Sequence, residues 1–187
     1  MGEAFLLPRR ALSVNDFQRM GEVGLFRPDE RVELIRGDLI SMSPIGARHA
    51  NAVNVLTRLL TLGVGTEGVV SIQNPLVLLP DSELQPDLMV LGPQCWGRSV
   101  LPSASDVLLL IEVADATLAY DRKVKLPLYA KHGVPEVWLV DLGSSQVTRY
   151  LNPSPKGYRS ALESARGDVI SPSQVPAARV SLIEIFA

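Results

Sequence analysis

The chain has 187 residues and a formal net charge of −2, with 47% of the residues hydrophobic and 20% charged. This balance favours one compact domain over residues 1–187 with a sizeable core, and it argues against a basic protein that coats nucleic acid. Cys95 is the single cysteine, which excludes an intrachain disulfide and a cysteine metal cluster.

The sequence indicates neither membrane insertion nor export. It contains no uninterrupted apolar run of about 18 residues, so we predict no membrane span. Glu3 near the start and Arg9 after a short apolar run have the wrong order for a secretory signal. We therefore expect a cytoplasmic protein.

The first elements in chain order are a short helix and a hairpin. Ser13 followed by Asp16 is a near match to a capping box, which predicts that a helix begins there. Residues 32–35 and 39–42 are apolar-rich runs joined by a Gly-containing turn at residues 36–38, and they predict a β-hairpin.

Two longer helices and several strands follow. Apolar residues recur at helical spacing over residues 47–62 and again over 118–131, where His132 and Gly133 end the pattern. The string from Gly63 to Gly68 matches G-x-G-x-x-G but follows a helix and precedes a strand, so we predict a loop. Runs rich in branched residues predict strands at residues 69–74, 76–79, 88–91, 107–113, 134–141 and 147–151. The fold class expected is α/β, with a mixed sheet flanked by helices and additional hairpins.

Two acids stand in unusual surroundings in this pattern. Asp87 follows Pro86 at the start of an apolar strand, where the proline ends the pairing on that side. Glu112 lies near the end of an almost wholly apolar run, which is typical of a strand buried on both faces. An unpaired buried carboxylate is costly, so we expect Glu112 to have a cationic partner.

A lysine completes this candidate site. Lys125 lies beside the apolar stripe of its helix, three and four residues before Leu128 and Tyr129, although lysine is rarely buried without a partner. Two strand acids and a helix lysine can hold Mg²⁺ by oxygen ligands and place an ammonium near an attacking water. Taken singly, Asp87 could instead cap a turn, Glu112 could form a structural ion pair, and Lys125 could extend to solvent.

The ordered series of motifs resembles the Uma2 family of restriction-endonuclease-like proteins, which belongs to the PD-(D/E)XK nuclease superfamily. The resemblance covers nearly the whole chain. Its motifs are RVELIRGDL at 31–39, MSP at 42–44 with Arg48 and His49, PDL at 86–88, IEV at 111–113, and Lys125 with Tyr129 and GVPEVWLVD at 133–141.

The resemblance implies a restriction-endonuclease-like fold and a role for each matching residue. Asp87, Glu112 and the carbonyl of Val113 would bind Mg²⁺ or Mn²⁺, and Glu33 would be a further acid near the metal. Lys125 would be the catalytic lysine, displaced onto the helix from its usual place two residues after the second acid. Ala114 occupies that place here. Pro127 lies within the lysine helix, where proline in an interior position costs about 3 kcal/mol.

The leading interpretation is therefore a metal-dependent endonuclease acting on nucleic acid, with DNA as the first expectation. Positive side chains that could face phosphate are Arg48, His49, Arg58, Arg122 and Lys123. His49 could equally cap or pack its helix, and His132 is better explained as a charge partner of a helix C-terminus.

Two alternatives from other functional classes remain. One is a catalytically inactive nucleic-acid-binding module on the same fold. The other is a structural homodimer or higher homo-oligomer that uses the apolar strand region at residues 134–140.

Overall fold

The computed structural model describes residues 10–27 and 29–187. Glu3 and Arg9, which carried the export argument, lie outside the described residues. Contacts divide the chain into two compact units, one of Met1–Ser43 with Val77–Leu84 and the other of Pro44–Leu76 with Gln85–Ala187. The interpretation as one domain stays a prediction.

The first unit contains the predicted short helix and hairpin. Helix α1 spans Val14–Glu22, and the expected capping box is confirmed: Ser13 Oγ accepts from the Asp16 N–H, and the Asp16 carboxylate accepts from the Ser13 N–H. Strands β1 (Val32–Ile35) and β2 (Asp38–Ser41) pair antiparallel, as predicted.

The turn between β1 and β2 has the backbone expected of a tight hairpin. Arg36 and Gly37 have φ values of 51° and 82°, and positive φ at both central residues defines the primed turn whose twist suits two adjoining strands. Strands β4 (Leu76–Leu78) and β5 (Ser82–Leu84) extend this sheet in the order β2-β1-β5-β4. The sequence predicted β4 but not β5, which has only three residues.

The second unit is built on a six-stranded sheet. Its helical elements are α2 (Ala47–Val64), two short 3-10 helices (Pro93–Cys95 and Ala104–Asp106), α3 (Leu118–Tyr120), a π-helical turn (Asp121–Lys125), α4 (Leu126–Lys131) and α5 (Leu182–Ile185). Its strands are β3 (Val69–Ile72), β6 (Leu88–Leu91), β7 (Val107–Ala114), β8 (Glu136–Asp141), β9 (Gln146–Ser154), β10 (Gly157–Ala165), β11 (Val169–Ile170) and β12 (Val180–Ser181). The large sheet has the order β10-β9-β8-β7-β6-β3, in which only β7 and β8 pair parallel, while β11 and β12 form a separate two-stranded sheet.

The main core lies between α2 and one face of the large sheet. Leu56 and Leu60 of α2 belong to the same buried cluster as Ile111, Val113 and Trp138 from the central strands. Because side chains alternate across a strand, Glu112 between Ile111 and Val113 points to the opposite face. That face receives the helix carrying Lys125.

The structure differs from the sequence prediction mainly in the tail. No strand was predicted beyond residue 151, but residues 157–165 form β10, and β9 extends to Ser154 to pair with it. The predicted helix over 118–131 is interrupted by the π-helical turn. None of the helices in the part of the chain that the structure describes combines the length and the apolar character needed to cross a membrane.

Candidate active site

Asp87 and Glu112 lie at the same end of two neighbouring central strands. Leu88, the first residue of β6, pairs with Ile111 of β7 in antiparallel register, so Asp87 lies beside the end of β7 that carries Glu112. The Asp87 carboxylate accepts from the N–H of Val113, the residue next to Glu112. The structure thus places Asp87 next to the segment that bears Glu112, 25 residues later in the sequence.

The Asp87 carboxylate is held by three elements of the second unit. Its Oδ2 accepts from the Val113 N–H at 2.9 Å and lies 3.0 Å from His49 Nε2 of α2. Its Oδ1 lies 3.4 Å from Nε2 of Gln73, a residue whose backbone N–H also donates to the Asp87 carbonyl at 3.1 Å. Asp87 is therefore a positioned carboxylate.

Glu112 receives two donors from the helix that crosses its face of the sheet. Lys125 Nζ lies 3.2 Å from Glu112 Oε1, and the Tyr129 hydroxyl donates to the same oxygen at 2.5 Å. Glu112, Lys125 and Tyr129 are all buried. The expectation that Glu112 has a cationic partner is confirmed, and the partner is Lys125.

The π-helical turn explains how a proline can follow Lys125. A proline in a regular helix clashes with the carbonyl four residues earlier and cannot donate to it. Pro127 lies in the first turn of α4, directly after the wider turn from Asp121 to Lys125. Single π turns inside helices are frequent at functional sites. Thr117 Oγ1 donates to Asp121 Oδ2 at 2.7 Å and stabilises the start of this turn.

The chemistry of the site suits a hard divalent cation. Among residues 10–27 and 29–187, no group of three or more His, Cys, Asp or Glu side chains is arranged to hold a metal ion. Mg²⁺, however, is commonly held by one or two carboxylates, with waters and substrate phosphates completing its shell. Asp87 and Glu112 are the two carboxylates predicted for this role, and metal binding by them and by the Val113 carbonyl stays a prediction.

Glu33 lies in the first unit rather than in the second. It is buried on β1, where it pairs with Ile40 of β2. Its role near a metal stays a prediction.

The five positive residues proposed to face nucleic acid have different surroundings. Arg48 donates to the Leu142 carbonyl at 2.7 Å and pairs with Asp115 at 3.3 Å, and Arg58 lies 3.6 Å from Glu184. His49 lies against Asp87, as described above. Exposed positions on the π-helical turn are occupied by Arg122 and Lys123. Nucleic-acid binding by these residues stays a prediction.

Gln73 and the contact of Tyr129 with Glu112 were not predicted as parts of this site. Nothing in the sequence around Gln73 pointed to this site. In the structure its backbone is unusual, because a φ of 51° is rare for a residue other than glycine. Tyr129 was predicted to lie on the apolar stripe of its helix. The sequence did not indicate which residue its hydroxyl would contact. Both contacts join residues from different elements, which spacing along one element does not encode.

Comparison with known structures defines the class of fold. The chain matches a crystal structure described as "a putative nuclease belonging to DUF820" from Anabaena variabilis, with a TM-score of 0.75 and 16% sequence identity. The match covers 94% of this chain and 97% of that chain. The predicted mixed α/β, restriction-endonuclease-like fold is thereby confirmed.

Comparison with family models identifies the family. Residues 14–182 match Uma2, described as "Putative restriction endonuclease". The chain belongs to the Uma2 family, as its motifs predicted. A search of the curated proteins found no match.

Proposed function

We propose that this protein is a metal-dependent nuclease that hydrolyses phosphodiester bonds, with DNA as its substrate. The observation that carries the proposal is the buried contact of 3.2 Å between Lys125 Nζ and Glu112 Oε1, on the strand next to the one that Asp87 precedes. An ion pair with no chemical role is often replaceable by apolar residues without loss of stability. A carboxylate before one strand, a second carboxylate in the neighbouring strand and a lysine from a helical turn are the equipment that phosphodiester hydrolysis needs.

Asp87 and Glu112 would hold the divalent cation in this reaction. When bound, Mg²⁺ or Mn²⁺ polarises the phosphate and lowers the pKa of a bound water. Lys125 would orient the attacking water or stabilise the negative charge that develops on the phosphate, because its ammonium is fixed by Glu112 and the buried helix. The water oxygen bonds to phosphorus, the bond to the leaving sugar oxygen breaks, and that oxygen takes up a proton.

The family name and the described nuclease of similar fold support this proposal. The main alternative function is that of a catalytically inactive module that binds nucleic acid. Phosphate is negatively charged, so a protein that only binds it gains nothing from two buried carboxylates at the binding site. The acids therefore favour the enzyme over the binding module.

A cleavage assay over a range of substrates tests the proposal. Supercoiled plasmid, linear duplex, single-stranded DNA and RNA would be incubated with the purified protein in Mg²⁺, in Mn²⁺ and in EDTA. We expect metal-dependent cleavage of at least one DNA substrate, abolished by EDTA and strongly reduced in Glu112→Gln. Binding of DNA without cleavage under either metal would support the inactive module instead.

A further inference from the structure

His49 is the residue of the second unit whose contact with the site is least explained by the function just proposed. Its side chain is 16% exposed and its Nε2 lies 3.0 Å from Asp87 Oδ2. Two roles were expected for His49 from the sequence, contact with phosphate or capping and packing of its helix. The geometry favours neither, because the ring nitrogen lies against a carboxylate.

The two oxygens of Asp87 differ in how strongly they are bound. Oδ2 accepts from the Val113 N–H at 2.9 Å and faces His49 Nε2 at 3.0 Å, both ordinary hydrogen-bond distances. Among the residues that the structure describes, Oδ1 has one contact, the longer one of 3.4 Å with the Gln73 side chain. An ionised carboxylate can only accept, so the hydrogen in the His49 contact belongs to Nε2. His49 and Val113 therefore fix Oδ2 and leave Oδ1 as the more loosely held oxygen.

We propose that His49 is a positioning residue that orients Asp87 so that Oδ1 is the oxygen presented to a divalent cation. The inference rests on the proposed function, since it assumes that Asp87 binds the metal. Hydrogen bonds to a metal-binding carboxylate set its orientation, and losing one typically weakens metal affinity or activity by about 10- to 100-fold. Gln73, which follows β3, supports the same carboxylate through a longer contact.

The backbone conformation of Gln73 also supports a role in holding the Asp87 carboxylate. Gln73 follows β3 in a left-handed conformation, with φ of 51°, from which both its N–H and its side chain reach Asp87. Non-glycine residues in this conformation persist where the surrounding structure holds them, and they cluster at functional sites. His49 approaches from the first turn of α2, so two separate elements converge on one carboxylate.

Mn²⁺ binding, measured by electron paramagnetic resonance on the full chain, tests the inference without relying on cleavage. His49→Ala should weaken Mn²⁺ binding about 10-fold or more. His49→Gln should restore it to within about threefold of wild type, because the glutamine amide nitrogen can occupy the place of Nε2 and donate to Oδ2. Gln73→Gly, which keeps the left-handed backbone but removes the side chain, should have a smaller effect than His49→Ala.

His132 provides the matched control, since it is the second histidine and lies at the end of α4. His132→Ala should leave Mn²⁺ affinity unchanged, and thermal unfolding of each variant checks that the fold is retained. Equal affinity of His49→Ala and wild type would overturn the inference, as would equal weakening in His49→Ala and His49→Gln. Phosphate contact by His49 predicts a different result, weaker DNA binding in EDTA with unchanged Mn²⁺ affinity, and that result would also overturn it.

Cleavage and Mn²⁺ binding by the wild type distinguish failure of the proposed function from failure of the inference about His49. A wild type that binds Mn²⁺ but cuts no substrate overturns the nuclease and leaves the positioning role testable by the same titrations. A wild type that binds no Mn²⁺ overturns both the metal site and the role of His49 in it.

Discussion

Lys125 Nζ and Glu112 Oε1 form a buried ion pair of 3.2 Å, with the two side chains only 6% and 5% exposed. Removing one member of such a pair leaves an uncompensated charge in a poorly solvated place. This relationship makes Lys125 a structural residue as well as the proposed catalytic lysine. An experiment on Lys125 must therefore distinguish a change in the cleavage rate from a change in the free energy of unfolding.

The first prediction concerns the stability of this pair. Lys125→Met should lower the free energy of unfolding by about 3 to 5 kcal/mol, whereas Lys125→Met combined with Glu112→Gln should recover part of that loss because no unpaired charge remains. Urea unfolding in EDTA measures both. The exposed pair of Arg58 and Glu184 is the control, and Arg58→Met should change stability by less than about 1 kcal/mol. Additive effects of the two buried substitutions would contradict the account.

The second prediction concerns the rate supplied by Lys125. At a temperature where Lys125→Met remains folded, its cleavage rate should fall about 100-fold or more, the amount that one positioned electrostatic group typically supplies. Lys131→Met removes an exposed lysine from the same helical region and should leave the rate near wild type. A Lys125→Met enzyme as fast as Lys131→Met would show that another group serves the attacking water.

The third prediction concerns the hydroxyl of Tyr129. Tyr129→Phe removes a hydrogen bond to a carboxylate and should lower the free energy of unfolding by about 1.5 to 3 kcal/mol. Tyr158→Phe removes a hydrogen bond to the Val134 carbonyl, a neutral acceptor, and should lower it by about 1 kcal/mol. Chemical denaturation compares the two, and a larger loss in Tyr158→Phe would argue against a charged Glu112 in the folded protein.

How far the sequence predicted this site depends on the kind of signal that each residue carries. Glu112 and Lys125 were recognisable because charge is rare inside an apolar run or beside an apolar stripe, and Asp87 because Pro86 fixes the start of its strand. His49, Gln73 and Tyr129 belong to the site through contacts across 38, 14 and 17 residues. Such contacts depend on the packing of α2, β3 and α4 around the sheet, which local periodicity does not determine.

The same distinction explains the fold prediction. The hairpin of β1 and β2 and the apolar run of β7 follow from alternation, burial and turn chemistry within a few residues. Strand β10 was missed because it lies at the edge of the large sheet, where most of its side chains are exposed and its composition is polar. An edge strand needs only one paired neighbour, so its sequence is under little pressure to be apolar.

The fourth prediction concerns acid stability. Asp106 accepts from the Ser103 N–H and pairs with Arg98 at 2.7 Å, and these interactions, the Ser103 bond foremost, hold the pKa of its carboxyl below the ordinary 3.8. A lowered pKa in the folded state means that the stabilisation is present above pH 3.8 and is lost as pH falls through the folded value. The difference in unfolding free energy between wild type and Asp106→Asn should therefore be largest near neutral pH and shrink below about pH 4. A difference that grows on acidification would contradict this assignment.

The most direct test of the metal-dependent nuclease is the cleavage rate of Asp87→Asn in Mg²⁺ and in Mn²⁺, measured beside wild type. Asparagine preserves the size of the side chain but removes the charge that would bind the cation, while Asp38→Asn removes an exposed carboxylate from β2 as the control. We predict that Asp38→Asn cuts like wild type and that Asp87→Asn loses about 100-fold or more in rate. Equal cleavage by Asp87→Asn and wild type would contradict the assignment of this site.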